Sequence, residues 1–184
     1  PDTGKVQQNK QNALNAHLPR DIRITQVLSA PPDFHPTLEA ISKEYHYRLC
    51  LGAVQNPIDR LYSWAVHHPR GVDLQKMEKA AQDFVGTWDF SALTSQSYTN
   101  PICTIYTVQL NSLPNERLEI AISGSRFLYK MARTMIGTLI YIGCGKLPPD
   151  CIHPLLMSKD RKKAGITAPP HGLTLFKVNY SASS

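Results

Sequence analysis

The sequence lacks the paired cysteines that bind metals or build dense disulfide frameworks. Its four cysteines are Cys50, Cys103, Cys144 and Cys151. None of them belongs to a C-x-x-C pair, and no histidine stands near them at the spacing of zinc ligands. The simplest interpretation is a reduced protein in which these small thiols are buried.

Long apolar segments are also missing. The longest, residues 135–144, is interrupted by glycine and threonine and is much shorter than the ~20 apolar residues that cross a bilayer. Residues 1–10 are polar and lack the apolar centre of a secretory signal. We therefore expect no membrane span and an intracellular location, in the cytoplasm or in an organelle such as a plastid or mitochondrion.

Several catalytic motifs are absent as well. No glycine-rich turn leads into Gly-Lys-Ser/Thr, so the sequence has no phosphate-binding loop. It has neither a G-x-S-x-G elbow nor an H-E-x-x-H helix, which leaves serine hydrolases and zinc proteases without support. His67 and His68 are adjacent and would point to opposite faces of a strand, which argues against a shared metal.

Composition and charge place the chain among ordinary globular proteins. The 184 residues are 42% hydrophobic and 18% charged, which excludes a disordered, collagen-like or coiled-coil chain. A chain of this length can bury a core without disulfides. It has 20 basic and 14 acidic side chains and a net charge of +6. This excess permits a polyanionic partner such as nucleic acid without requiring one.

Strand and helix patterns follow one another without internal repeats. In residues 43–51, KEYHYRLCL, large apolar residues alternate with mostly polar ones, which indicates a half-buried strand. Other strands are predicted at residues 22–28, 61–66, 102–110, 118–123 and 173–180. Helices are predicted at residues 74–84, after Gly124 and at residues 151–158, and residues 1–16 as a frayed arm or the tail of a helix. This order predicts an α+β fold with a mixed, mainly antiparallel sheet flanked by helices.

Two side chains and one basic run have alternative interpretations. Tyr45, on the predicted strand, packs in the core or presents its ring to a ligand. Arg133 interrupts the apolar stripe of the helix after Gly124, so it points to solvent or enters a site that meets an anion. The basic run at residues 159–163 is a solvated face or a track for phosphates.

Five segments together resemble the tRNA pseudouridine synthases of the TruA type. They include FLYKMARTMIG in the predicted helix and APPHGL before the last strand, and they stand in the family's order along nearly the whole chain. The segments are residues 14–22, 34–49, 73–93, 125–143 and 159–180.

The resemblance implies an isomerase that converts uridine to pseudouridine in the anticodon stem-loop of tRNA, without metal or organic cofactor. It implies the pseudouridine synthase fold, in which residues 1–42 are the end of an N-terminal ferredoxin-like half and residues 43–184 are the C-terminal catalytic and RNA-binding domain. It also implies a homodimer that holds tRNA across both subunits.

The resemblance assigns roles to individual residues. Tyr45 matches the tyrosine that stacks on the target base and removes a proton late in the reaction, and Arg133 matches the arginine that pairs with the nucleophilic aspartate. Leu173 matches an apolar wall of the pocket, and Phe127 and Leu128 are expected to line the same cavity. RNA contacts are expected from the basic residues Lys43, Arg48, Arg126, Lys130, Lys162 and Lys163.

The chain departs from the family at the nucleophile. The Arg-Thr-Asp-x-Gly-Val motif is not present, and Asp2-Thr3-Gly4 only echoes its Asp-x-Gly part. We therefore expect the nucleophile's segment to be missing from this chain, with Asp2 as the alternative catalytic residue. Pro36-Thr37 replaces the family's usual Ala-Arg, which removes an expected RNA or active-site contact.

Two other functions fit the same residues. One is a non-catalytic RNA-binding relative that keeps the basic face, and it predicts salt-dependent binding of tRNA. The other is a fragment whose main task is dimerisation.

Overall fold

The computed structural model describes residues 3–181 and divides the chain into two compact units, Pro1–Glu39 and Ala40–Ser184. The first unit contains helix α1, Thr3–His17. The strand predicted at residues 22–28 is wrong, because no neighbouring strand pairs with it there. Instead, the Asn15 side chain donates to the carbonyl of Ile24 and accepts from its amide, at 2.9 and 2.8 Å.

The second unit has the order β-β-α-β-β-β-α-α-β. Its elements are β1 (Ala40–Cys50), β2 (Trp64–Ala65), α2 (Leu74–Gln82), β3 (Gly86–Asp89), β4 (Ile102–Leu113), β5 (Arg117–Gly124), α3 (Met131–Gly143), α4 (Ile152–Ser158) and β6 (Leu173–Tyr180). Three short 3₁₀ turns lie at Ser91–Leu93, Arg161–Lys163 and Pro170–Gly172. The unit begins at β1, three residues before the predicted boundary at residue 43, and the ferredoxin-like nature of the preceding segment stays a prediction.

One mixed sheet organises this unit. Its order is β2-β1-β5-β4-β3, and β6 pairs with the first part of β1. The β1–β2 pair is parallel and the other pairs are antiparallel. The predicted α+β fold with a mainly antiparallel sheet is therefore confirmed.

The core lies between one face of this sheet and the helices. Tyr47 and Leu49 point from β1 into it, as the alternating pattern predicts. The stripe predicted on the helix after Gly124 is buried there too. Asp73 caps α2 by accepting from the amide of Lys76 at 3.1 Å. Among residues 3–181, no helix has the length and apolar character needed to span a membrane.

Candidate active site

A cavity of about 200 Å³ opens where β1, the start of β6 and the entrance to α3 meet. It is smaller than the roughly 300–1,000 Å³ of sites for drug-sized ligands, so it suits a single small ring. Its lining is mostly aromatic and apolar with two cationic side chains: Tyr45, Phe127, Leu128, Tyr129, Lys130, Met131, Ala132, Arg133 and Leu173. The structure thus brings together the five residues that the resemblance assigns to the pocket.

Tyr45 reaches the cavity from β1, an inner strand of the sheet. It pairs with Ile122 of β5 and Leu175 of β6, and the β6 register shifts between Glu44 and Tyr45. Such an irregularity redirects side chains and is common beside active sites. The ring meets Phe127 edge to face, with centroids 5.0 Å apart and planes at 81°. Burial raises the pKa of Tyr45, so its phenol is protonated at neutral pH.

Leu173 is positioned by the turn before it, which packs against the buried Tyr47. The hydroxyl of Tyr47 donates to the carbonyl of Pro169 at 2.8 Å. Any Cβ at Gly172 would lie 2.7 Å from Cζ of Tyr47, so only glycine lets the 3₁₀ turn lie against this ring. Leu173 follows directly, in register with Tyr47, and begins β6 at the edge of the cavity.

Arg133 lies in the first turn of α3 and is half-buried. Its Nε donates to the carbonyl of Ala168 at 2.6 Å, and the amide of Ala168 donates to the Arg133 carbonyl at 3.0 Å. Within residues 3–181, its two terminal nitrogens have no hydrogen bond or carboxylate partner. A half-buried guanidinium that faces a cavity is suited to bind an anion there.

The segment before the last strand is packed against α3 and fixes Arg133. A Cβ on Gly137 would overlap the carbonyl oxygen of Ile166, so the two backbones touch. The hydroxyl of Thr138 accepts from the amide of Gly165 at 3.0 Å. Arg161 donates to the Gly165 carbonyl at 2.9 Å and to Oγ1 of Thr167 at 3.0 Å. These contacts hold the Ala168 carbonyl in place.

Tyr129, just before α3, lines the cavity and was missed by sequence reasoning, whereas its neighbour Lys130 was expected only as an RNA contact. The helix begins at Met131, later than its apolar stripe suggests, because Lys130 adopts a left-handed conformation with φ 60°. The resulting turn points Tyr129 and Lys130 at the cavity, with the Lys130 ammonium 4.9 Å from the Tyr129 ring centroid. The position of Tyr129 in the FLYKMAR segment was the available signal.

The six predicted RNA-binding residues do not form one cluster. Lys130 lines the cavity, whereas Lys162 and Lys163 lie in the 3₁₀ turn Arg161–Lys163. Arg126 contacts Sγ of Cys103 at 3.5 Å and donates to the Asn100 carbonyl. Their roles in RNA binding stay predictions.

The remaining two of the six lie on opposite faces of β1. Lys43 alternates with Tyr45 on the side of the cavity. Arg48 lies on the other face and forms an ion pair with Glu119 at 3.2 Å, so it does not reach the cavity. The structure therefore separates Arg48 from the other candidates near the pocket.

Among residues 3–181, no carboxylate lines the cavity. Asp2 lies outside the residues that the structure describes. Asp89 lies elsewhere, where it pairs with Lys159 at 2.7 Å and accepts from the Ser91 amide and hydroxyl. Burial alone would raise the pKa of Asp89, but these bonds outweigh it and hold the pKa below its usual range. In the described part of the chain, no three His, Cys, Asp or Glu side chains cluster as metal ligands would.

The chain matches one family model and several individual proteins. Residues 80–181 match the family model described as tRNA pseudouridine synthase. Over 91% of its length, the chain is 46% identical to tRNA pseudouridine synthase A 2 of Protochlamydia amoebophila and covers 65% of that protein. It is 41% identical to tRNA pseudouridine synthase A 1 of the same organism, of which it covers 66%. It is also 41% identical to tRNA pseudouridine synthase A of Thermoanaerobacter sp., of which it covers 68%. The chain thus spans just under two thirds of the first two relatives.

Proposed function

The chain belongs to the tRNA pseudouridine synthase family, and on that premise we propose that it carries most of the active site of an enzyme that converts uridine to pseudouridine in tRNA. The reaction is an isomerisation. The bond between C1′ of the ribose and N1 of uracil breaks, the base turns, and C1′ bonds to C5. The C5 proton leaves and N1 gains a proton, so no atoms or electrons are gained or lost.

The walls of the cavity fit the base in this reaction. A uridine in a helical stem or loop must leave its stack before chemistry can reach it. Tyr45 and Phe127 offer rings, and Leu173 offers an apolar wall, that replace the lost stacking. The small volume of the cavity favours one pyrimidine ring over a larger ligand.

Arg133 fits the electrostatic needs of the reaction. We propose that the nucleophile is an aspartate from a segment outside residues 3–181, and that the free end of the Arg133 guanidinium pairs with it. An adjacent guanidinium keeps a buried carboxylate ionised and therefore nucleophilic. The single observation that carries the proposal is this cation, which faces a base-sized cavity without a carboxylate partner in the described residues.

The test uses the longer protein, meaning this chain together with any coding sequence that precedes it in its gene. Arg133→Ala should reduce the release of tritium from tRNA labelled at C5 of uridine by about 10²-fold or more, since a charge partner of the nucleophile is lost. Arg70→Ala is the matched control because Arg70 is exposed and contributes nothing to the cavity. Wild-type tritium release by Arg133→Ala would contradict the proposal.

A second candidate is an RNA-binding relative without catalysis. It is favoured by the absence of a carboxylate from the cavity lining within residues 3–181. In that case the longer protein would bind tRNA but release no tritium, even with the upstream residues present. Tritium release above background in the same assay would exclude it.

We further propose the anticodon stem-loop as the target and a homodimer as the assembly, both from the resemblance. Reverse-transcription stops after carbodiimide treatment would locate the modified uridines, and stops only outside the anticodon stem-loop would refute the first point. Sedimentation at tens of micromolar tests the second, because a monomer there argues against a self-sufficient dimer or a dimerising fragment. The intracellular location stays a prediction.

A further inference from the structure

A second, larger concavity lies beside the candidate active site. It has a volume of about 640 Å³ and is lined by the loop after β3 and by the basic run after α4. We call it the basic groove. Its residues are Ser91, Thr94, Ser95, Gln96, Ser97, Tyr98, Lys159, Arg161 and Lys162. Hydroxyl and amide groups and three cations thus surround one open channel.

The three cations of the basic groove differ in whether they can bind a ligand. Arg161 donates hydrogen bonds to the Gly165 carbonyl and to Thr167, so its role is structural. Lys159 pairs with Asp89 at 2.7 Å, yet its side chain is 62% exposed. Lys162 is exposed, and within residues 3–181 its ammonium has no ion-pair partner. The groove therefore offers two lysines to a ligand.

The nearby carboxylates, Asp89 and Asp160, cancel only part of this charge, since four cations lie at residues 159–163. Asp89 is the partner of Lys159, and its other contacts are with Ser91. Asp160 accepts from the backbone amide of Lys162 at 2.9 Å and so caps the 3₁₀ turn. Lys163 follows in the same turn and is also exposed. A ligand with regularly spaced negative charges and many acceptor oxygens fits this surface, as a phosphodiester backbone does.

Tyr98 connects the basic groove to the candidate active site. Its hydroxyl accepts from the backbone amide of Tyr129 at 2.9 Å, and Tyr129 lines the cavity. The side chains of Tyr98 and Tyr129 are 38% and 46% exposed, so both rings are available at this junction. Exposed aromatic rings beside a basic surface are the usual platform for unpaired bases.

We infer that the basic groove binds the unpaired RNA strand next to the target nucleotide. Lys159 and Lys162 contact its phosphates, and the ring of Tyr98 stacks on the base adjacent to the one in the cavity. The inference rests on the proposed function, because it takes the cavity as the place of the target base. It adds a path for the strand, which leaves the cavity over Tyr98 and continues along the loop at residues 94–98.

The charge part is tested by RNA binding of the 184-residue chain. Fluorescence anisotropy with a synthetic RNA stem-loop that has uridines in its loop is measured over a salt series. The double variant Lys159→Gln/Lys162→Gln should bind about tenfold more weakly at low salt, and its log–log salt slope should be shallower by about 0.7 per lysine. The control Lys10→Gln/Lys79→Gln removes the same charge from exposed positions outside the groove and should bind like wild type.

The stacking part is tested with a fluorescent base analogue placed next to the target uridine. Wild type should quench its fluorescence, Tyr98→Phe should quench it equally, and Tyr98→Ala should leave it bright and bind about tenfold more weakly. Tyr98→Phe removes the acceptor for the Tyr129 amide but keeps the ring. Loss of quenching in both variants would therefore mean that Tyr98 only holds the turn, and the inference would be wrong.

Three other results would overturn the inference. The double lysine variant could bind RNA with the affinity of wild type at every salt concentration. Wild type could fail to quench the fluorescence of the base analogue, or fail to bind the RNA at low salt. Tritium release is measured separately in the longer protein. If tritium release persists while the groove variants bind normally, the proposed function stands and the groove is refuted. If the groove variants behave as expected and no tritium is released, the groove stands and catalysis is refuted.

Discussion

Arg133 serves both the fold and the candidate site. Its Nε and backbone carbonyl hold both hydrogen-bonding groups of Ala168, while the terminal nitrogens face the cavity. Lysine could supply the charge but not the fork that binds in two directions. The planar guanidinium therefore explains why a cation lies between apolar turns of α3.

The two roles expected of Tyr45, stacking on the base and proton transfer, can be tested separately. Tyr45→Phe keeps the ring against Phe127 and should bind the RNA stem-loop within about twofold of wild type. In the longer protein it should slow tritium release by about 10²-fold or more, since the hydroxyl that the resemblance assigns to the late proton removal is gone. A neutral phenol can take the C5 proton only while it passes its own proton on, and phenylalanine can do neither. Tyr106→Phe, an exposed tyrosine on β4, is the control. Unchanged tritium release by Tyr45→Phe would remove Tyr45 from the proton transfer.

Tyr47 makes stability depend on pH in the alkaline range. Burial raises its pKa above the ordinary value of 10.0, and the charge of Arg133 opposes this more weakly. The folded chain thus holds the phenolic proton more tightly than the unfolded chain. Its contribution to stability is complete below about pH 10 and is lost as the pH rises toward the raised pKa.

Tyr47→Phe tests this linkage by urea unfolding at several pH values. At neutral pH the variant should be about 1 kcal/mol less stable, because the hydrogen bond to Pro169 is lost. Between about pH 9 and about pH 11 it should lose less stability than wild type, since one raised pKa is gone. Equal losses for both proteins would contradict the assignment to Tyr47.

At the level of elements, the approach of α3 to residues 165–168 controls the site. Gly137 and Gly165 allow the contact from the two sides, because a Cβ on either would meet backbone of the other element. The Thr138 hydroxyl stabilises the contact, because it accepts from the backbone amide of Gly165 and donates to the carbonyl of Thr134. The packing is therefore specified by small residues and one hydroxyl.

Gly137→Ala should destabilise the protein although alanine is the better helix former. The added methyl group has to displace the Ile166 backbone, which costs about 1–3 kcal/mol, while helix propensity returns only about 1 kcal/mol. Gly143→Ala is the comparison, since the nearest neighbours of its Cβ would be the side chains of Met77 and Val72, both at 2.7 Å, which can shift more easily than a backbone carbonyl. Thermal unfolding should rank wild type and Gly143→Ala above Gly137→Ala, and a Gly137→Ala as stable as wild type would disprove the contact.

At the level of the whole molecule, the buried apolar side chains of the described residues all belong to the second unit. They run from Tyr47 in β1 to Ala168 before β6. A chain of residues 40–184 should therefore fold by itself, because it keeps this entire core. Its unfolding should remain cooperative with a melting temperature close to that of the full chain. A truncated chain without a cooperative transition would show that residues 1–39 are needed for folding.

The sequence by itself determined most of the regular elements. Alternation in residues 43–51 predicted β1, and apolar spacing predicted α2 and α3, because both signals arise from residues that are neighbours along one strand or helix. The prediction of a strand at residues 22–28 was wrong because a strand also needs a neighbouring strand to pair with. The side chain of Asn15 instead forms hydrogen bonds with the backbone amide and carbonyl of Ile24. The family resemblance selected Tyr45, Arg133 and Leu173, which the structure places around one cavity.

Only the tertiary structure decided how these residues meet. The left-handed Lys130 moves the start of α3 and points Tyr129 toward the cavity, and the Ala168 carbonyl orients Arg133. Tyr98 joins the cavity to the basic groove through a hydrogen bond with a residue far along the chain. These arrangements depend on contacts between distant segments, and no periodicity of the sequence encodes such contacts.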